Sequence, residues 1–410
     1  MNKLPEDWEI KKLKDIGNVY TGITPPTSDK ENFGNEHLFV TSADIKENKY
    51  IFNSIRKLSN KGFEKTKKFK KGDILYVCIG SIGKIALAKT DFSCNQQINV
   101  LRVNKEIDNE FIYYQLMNSF PYISKFISKR VVPIMNKTTF ENLEISLPSL
   151  DEQKRIASAL SKIDAYLENT IKLIEEKERF KRGIAKKLLT CKEGENIPEA
   201  RFKGFEDKWE IVKLGDIGTI TATGVDKKIN DNETPIKLLN YLDVFNRNKL
   251  YEKEISYMTT ATEKQLEKCN IRKGDLFITP SSEDKKGIAK SSVAMEDFKN
   301  TVYSYHIIRV RFNKEIDLKF KSYMCDTDFF HRQAYRLCDG SGQRYFIKLD
   351  NFRNMEICIP KSIKEQEKIG GYLSLLDAEI DNLKKQKELI KEMKRGAMQK
   401  LLSGEVRLLE

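Results

Sequence analysis

Apolar positions along the chain switch between two periods, and they do so twice in the same order. Over residues 1–150 and 201–360 they come in short alternating runs, as in Asp73-Ile-Leu-Tyr-Val-Cys-Ile79 running into Gly80-Ser-Ile-Gly83. Alternation broken by Gly, Pro and Asn predicts short strands in a mixed globular block. Each block closes on a proline, Pro148 or Pro360, and the period then lengthens. Ile156, Leu160, Ile163, Leu167, Ile174, Ile184 and Leu188 follow four-three spacing, as do Ile369, Leu373, Leu376, Ile380, Leu383, Ile390, Ala397 and Leu401. That is a coiled-coil seam, interrupted by Lys177, Lys387 and Lys394. The other faces carry dense charge of both signs, so the narrow seam favours pairing of the two helices over packing of each on its own block. Asp151 and Ser362 are the expected helix-start residues.

The two halves are copies. Trp8-Glu-Ile-Lys-Lys-Leu-Lys-Asp-Ile-Gly17 returns as Trp209-Glu-Ile-Val-Lys-Leu-Gly-Asp-Ile-Gly218, and these segments hold both tryptophans of the chain. Lys71-Gly72-Asp73 returns as Lys273-Gly274-Asp275, Asn104–Asp108 as Asn313–Asp317, and Glu152-Gln153 as Glu365-Gln366. Arg182-Gly183 through Leu188-Leu189 matches Arg395-Gly396 through Leu401-Leu402. Five collinear matches mean duplication. Between them, residues 18–70 and 219–271 share almost nothing, nor do 109–140 and 318–352.

The expected fold is therefore α+β: two mixed α/β globular domains joined by two long helices in an antiparallel coiled coil, with pseudo-two-fold symmetry. The map reads 1–150 first globular domain, 151–190 first helix, 191–200 linker, 201–360 second globular domain, 361–404 second helix and 405–410 tail. Each helix of roughly 38 residues would be about 57 Å long. Antiparallel pairing would hold the two blocks a set distance apart.

Charge narrows the function. Lys and Arg number 73 against 60 Asp and Glu, a net +13, with most of the excess in the two globular blocks. A basic surplus suits a phosphate backbone. No apolar run approaches the roughly 18 residues of a membrane span, and the first residues lack the apolar core of a secretory signal. Seven cysteines without a CxxC pair argue against a disulfide framework. A cytoplasmic protein is expected.

Similar frames around divergent interiors suggest two readers with different specificities, hence an asymmetric, bipartite double-stranded DNA target. Candidate contacts are polar or basic residues beside turns. In the first block these are Thr24, Thr27, Ser28, Lys67, Lys68, Lys84, Asn95, Gln96, Gln97, Lys129, Arg130 and Lys137. In the second they are Thr223, Lys227, Lys228, Ser281, Ser282, Lys285, Lys286, Gln343 and Arg344. Lysines position a protein on phosphates, whereas Gln, Asn and Arg can read base edges. Any single lysine is as readily a solvated surface residue.

Motifs that would carry chemistry are few. Gly80–Lys84 lacks P-loop spacing. Cys325, His331 and Cys338 lack paired zinc-ligand spacing, and no methyl-transfer tetrad or glycine-rich cofactor fingerprint is present. Asp275 followed by Glu283 and Lys285 has the spacing of a metal nuclease motif, which leaves a DNA nuclease acting by itself as the alternative. Otherwise no metal site or catalytic residue is assigned.

The hinge Arg201–Gly218, the paired segments at 145–156 and 357–369, the Lys-Gly-Asp turns and the Arg-Gly…Leu-Leu helix ends resemble the specificity (S) subunits of type I restriction-modification enzymes. The resemblance spans nearly the whole chain. It implies two target recognition domains alternating with two helical regions, and a non-catalytic DNA-binding role in DNA methylation and restriction. It also implies two methyltransferase (M) subunits and two restriction/translocase (R) subunits as partners. S-adenosylmethionine, ATP and magnesium would belong to those partners. The first block has Pro133-Ile-Met-Asn136 where the second has Gly340-Ser-Gly-Gln-Arg344, a departure between the copies.

Overall fold

The computed structural model describes residues 4–46, 48–127, 132–192 and 194–409. It divides into two units, Met1–Leu173 with Leu383–Glu410, and Ile174–Asn382. The division falls inside both long helices, Leu150–Leu189 and Ile363–Leu402, so each unit holds one globular block and part of each helix.

The repeated tryptophan motif does the same work in both units. Glu9–Lys12 pairs antiparallel with Glu144–Leu147, and the short helix Leu13–Ile16 then buries Leu13 and Ile16. In unit two Glu210–Lys213 pairs with Glu356–Ile359, and Leu214–Ile217 repeats the helix. The glycine that follows permits close backbone approach: a Cβ on Gly17 would lie 2.3 Å from the Arg102 carbonyl oxygen. A five-stranded sheet comes next, in the order Gly17–Thr21, Ile98–Val103, Ile74–Val77, Ile85–Ala88, Tyr50–Ile51. Its counterpart runs Gly218–Thr221, Ile308–Phe312, Leu276–Ile278, Ser291–Ala294, Lys249–Leu250. A three-stranded sheet in each unit centres on Phe33–Val40 or Thr234–Leu239.

Within each unit the two helices run antiparallel. In unit two Lys177 pairs with Glu379 at 2.7 Å and Lys181 with Asp377, so numbers rise on one helix as they fall on the other. In unit one Lys394 meets Asp164 at 2.6 Å, and Gln386 donates to the Tyr166 hydroxyl. Two of the lysines that interrupt the seam therefore reach carboxylates on the opposite helix. The seam ends also pack on the blocks. Ile156, Leu160 and Leu401 join the core of unit one beside Trp8 and Phe111, while Leu188, Ile369 and Leu373 join that of unit two beside Trp209 and Phe320. Leu376, Ile380, Ile390 and Ile174 are buried, and Ile163, Leu167, Ile184 and Leu383 half-buried. Pairing and packing thus coexist along one stripe. Ser362 precedes the second helix as expected; at the first, Ser149 rather than Asp151 stands at the start, its hydroxyl accepting from the Glu152 amide at 3.4 Å.

The remaining repeats are buried polar joints. Gln153 accepts from the Asp108 amide and donates to the Pro148 carbonyl, and Gln366 does the same with Asp317 and Pro360. Glu152 grips Arg407, which also makes a two-pronged contact with Asp7. Glu365 grips Arg201 at 2.8 and 2.9 Å and accepts from the Trp209 indole at 3.2 Å. Glu199-Ala-Arg-Phe202 and Glu405-Val-Arg-Leu408 are therefore equivalent segments, an internal match that the sequence patterns had not brought out.

The expectation that residues 18–70 and 219–271 share almost nothing needs correction. Lys49, with its side chain 3% exposed, donates to Glu110 at 2.9 Å, Tyr114 at 3.0 Å and Ser161 at 2.7 Å. Lys249 likewise reaches Tyr323 at 2.9 Å, Ser374 at 3.0 Å and Asp377 at 3.5 Å. Both lysines tie a sheet edge to a long helix through a tyrosine and a serine. Burial pulls both ammonium groups below the usual lysine range, and the neighbouring carboxylates oppose that fall. The copies differ in one charge: Lys319 stands where Glu110 would.

One pair of thiols lies apart from these joints. Cys191 and Cys358 in unit two place their sulfurs 2.8 Å apart, both half-buried. The hydrogen bond from Cys358 holds the Cys191 thiol below its ordinary value, and the Arg201 charge adds to this. Cys191 is therefore the readier thiolate. Hydrogen peroxide should convert it to a sulfenic acid, releasing water, and Cys358 then attacks that sulfur and displaces its hydroxyl as a second water to leave a disulfide. Peptide mapping without reductant should find the 191–358 cross-link in the wild type and lose it in Cys191→Ser. An oxidised wild type with both thiols still titratable would contradict the assignment.

Candidate nucleic-acid interface

In unit one four segments meet: the loop after Phe33–Val40, the turn before Ile85–Ala88, the link from Ser93–Cys94 to Ile98–Val103, and the stretch after Gly17–Thr21 that carries Thr24. Their side chains are knitted together. Thr24 donates to the Gln96 carbonyl oxygen at 2.6 Å, Asn95 to that of Gln97 at 3.0 Å, and Ser42 to the same Gln97 oxygen at 3.2 Å. Lys84 donates to the Ser42 backbone carbonyl at 3.2 Å. Thr24, Lys84, Asn95, Gln96 and Gln97, scattered over more than seventy residues, thus form one polar cluster. Asp44 fixes the first loop by accepting from the Thr41 amide and the Ile55 amide.

The first three of these segments recur in unit two with different side chains. Asp243 accepts from the Asn240 amide as Asp44 does from Thr41, and the short helix Tyr241–Phe245 that contains it presents Tyr241, Leu242 and Phe245. His306 takes the place of the glutamines. These residues, with Ser281, Ser282, Glu283, Gln343 and Arg344, line a cleft of about 500 Å³. Burial, with the positive charges of Lys227 and Arg344, holds His306 below the ordinary histidine value and so keeps its ring neutral. Arg344 donates to the Ser281 hydroxyl at 3.1 Å, and the Lys285 ammonium lies 5.4 Å from the Tyr345 ring centre.

Other candidates stand outside these clusters. Thr27 and Ser28 are exposed in a turn. Lys67 is exposed, and Lys68 pairs with Glu64. Around them Lys61 and Lys65 meet Asp29, and Lys70 meets Asp91, so acids from other segments offset much of that basic run. Lys137 pairs with Glu141 at 3.2 Å. Thr223 and Lys228 are exposed on the loop that also carries Lys227. Lys286 lies in the turn Lys285–Gly287, and Lys129 and Arg130 lie outside the described residues. Ser42, Tyr241, Phe245 and His306 escaped the sequence search. The recurrent aspartate, Asp44 or Asp243, was the signal that could have found their loops.

The nuclease alternative fails on Asp275. The residue is 1% exposed, and its carboxylate receives two bonds from Arg311 at 2.8 and 2.6 Å and caps the Arg272 amide at 2.8 Å. Asp73 holds Arg102 and the Lys70 amide in the same way. The Lys-Gly-Asp repeat is a structural turn in both copies, and both oxygens of the buried Asp275 carboxylate are committed to hydrogen bonds within it.

The frame that repeats around these clefts is also that of a known family. The type I restriction modification DNA specificity domain matches residues 5–176 and again 206–392. The chain belongs to that family. It carries two such DNA specificity domains, one for each globular block. The MjaVIII specificity subunit of Methanocaldococcus jannaschii is 25% identical over 410 residues, covering 99% of this chain and 94% of that one. The MjaIX specificity subunit from the same organism is 26% identical, covering 100% and 96%. Among solved structures, the type I S subunit from M. genitalium shares the fold at a TM-score of 0.58 with 18% identity, covering 98% and 97% of the two chains. The fold expectation, two mixed blocks with two long helices, is thereby met. No helix among the described residues is long and apolar enough to cross a membrane.

Proposed function

We propose that this chain is the DNA-recognition subunit of a type I restriction-modification complex, each unit reading one half of an asymmetric, bipartite target. The observation that carries this reading is one scaffold built twice, with equivalent loops bearing Gln and Asn in one copy and Tyr, Ser and His in the other, where a hairpin adds Gln343 and Arg344. The helix pair would set the spacer between the halves and dock two methyltransferase subunits, since duplicated helix surfaces offer one partner two equivalent sites. Two restriction/translocase subunits would complete the assembly. S-adenosylmethionine, ATP and magnesium would be bound by those partners, and chemistry on DNA would be theirs. The commitment of Asp275 to Arg311 supports a chain that reads without reacting.

Replacing residues 219–352 by those of a relative tests the division of labour. The frame residues Trp209, Glu365 and Gln366 stay in place, so the unit should fold and only one half of the methylated motif should change. Methylome sequencing reads the result directly. Alteration of both halves would contradict independent readers.

A further inference from the structure

Unit two carries a three-stranded sheet, Ser281–Ser282, Arg344–Phe346 and Asp339–Ser341; among the described residues of unit one only its base recurs, as the isolated bridge between Ile79 and Ile134. Two of its strands form a hairpin. Ser341 pairs with Arg344, so the chain reverses across Gly342 and Gln343 alone. Gly342 has φ of 45°, the left-handed backbone that a glycine-first two-residue turn requires. Of residues 339–346 only Tyr345 is even half-buried. A short ribbon exposed on both faces gains little from burying apolar surface. It is held instead at its base, where Tyr345 and Phe346 pair with Ser282 and Ser281, the Ile347 amide donates to Pro280, and Ile347 enters the core. Such an arm is costly unless something else covers it.

We propose that this hairpin is the major-groove reading element of unit two, with Arg344 reading a guanine and Gln343 a neighbouring adenine. The inference rests on the reading that each unit binds one half of the target. Two strands about 4.8 Å apart, with their side chains, fit a groove roughly 12 Å wide that admits a β-ribbon. The chemistry at the tip agrees. Arginine matches the O6 and N7 acceptors of guanine, and glutamine matches the donor and acceptor of adenine. The Ser281 hydroxyl accepts from Arg344, which lines the cleft together with Gln343 and His306. Lys227, whose charge acts on His306, and Lys285, over the Tyr345 ring, suit neighbouring phosphates. Glu283, also on the cleft, suits a cytosine amino group and repels misplaced phosphate.

The test uses the complete complex with its methyltransferase partners. Methylome sequencing of the wild type gives the motif, and the exchange of residues 219–352 shows which half belongs to unit two. That half should contain a G·C pair beside an A·T pair, and a half lacking either overturns the proposal. Binding is then measured for wild type, Arg344→Ala, Arg344→Lys and Gln343→Ala on duplexes substituted one position at a time. Arg344→Ala should lose about tenfold to a hundredfold of discrimination at the guanine. Arg344→Lys should relax the same position while keeping the charge, because a lysine cannot make the paired contact. Gln343→Ala should relax the adenine next to it. Discrimination unchanged at every position, or an equal weakening on all sequences, would make the hairpin a non-reader or a phosphate contact and overturn the proposal. Should the wild type methylate no bipartite motif, the broader reading of the chain would fall instead.

Discussion

Glu365→Ala should be the most damaging single substitution in unit two. Its carboxylate, nearly sealed from water, is the shared acceptor for Arg201 and the Trp209 indole. Removing it strands a largely buried guanidinium, a loss of about 3–5 kcal/mol for breaking one side of a buried pair. Glu152→Ala, the same change in the other copy, should cost less. Arg407 keeps its two-pronged contact with Asp7, and the Trp8 indole makes no bond to Glu152 that could be lost. Denaturant unfolding of the two variants gives the comparison, and hydrogen exchange should show the opening centred on residues 199–210 for Glu365→Ala. Equal losses, or a loss below about 1 kcal/mol in Glu365→Ala, would mean that Arg201 finds other partners.

The second large effect concerns the helices as spacers. Two residues inserted near Glu175 rotate the following stripe by about 200°, turning Ile184 and Leu188 away from the core that they enter. Function should be abolished. Four residues turn it by about 400°, so the seam returns to nearly the same face with a small stutter, and the helix gains about 6 Å. If the helices set the distance between half-sites, the target spacer should widen by one or two base pairs at roughly 3.4 Å each. Neither half-site should change, because no reading residue has moved within its own unit. Methylome sequencing of both variants decides the matter. An active four-residue variant with the original spacer would show that the insert loops out and that the helices are no ruler.

Much of this fold is legible because its repeated residues are structural. Trp8 and Trp209, the Lys-Gly-Asp turns and the Glu-Gln pairs recur because each makes one buried joint whose geometry tolerates little change. The heptad seam is legible for a similar reason, since four-three spacing is the signature of any narrow apolar stripe on a helix. The lysine joints are harder to see. Asn48-Lys49 and Asn248-Lys249 do recur, but the loops around them differ and the match is too short to register. Their serines and tyrosines come from distant helices, and only folding gathers them. The candidate contact residues are least visible of all. Thr24 and Gln96 lie 72 residues apart and meet only when two loops close over the sheet. Polar side chains beside turns are numerous, and nothing local separates one that faces a cleft from one that faces solvent.

Unit two is one uninterrupted stretch of chain, whereas unit one is assembled from both ends of it, and the difference orders events during synthesis. Gln115 donates to the Leu402 carbonyl at a separation of 287 residues, and Arg407 reaches Glu152 at 255 and Asp7 at 400. Ile156 and Leu160 share their core with Met398, Leu401 and Leu402. At roughly 5–20 residues per second, that cover follows on the order of ten to fifty seconds after the residues it protects. The unit that leaves the ribosome first is therefore the last to be sealed. Chains truncated between the two helices would carry a bare apolar strip into the cell, a ready substrate for chaperones and proteases.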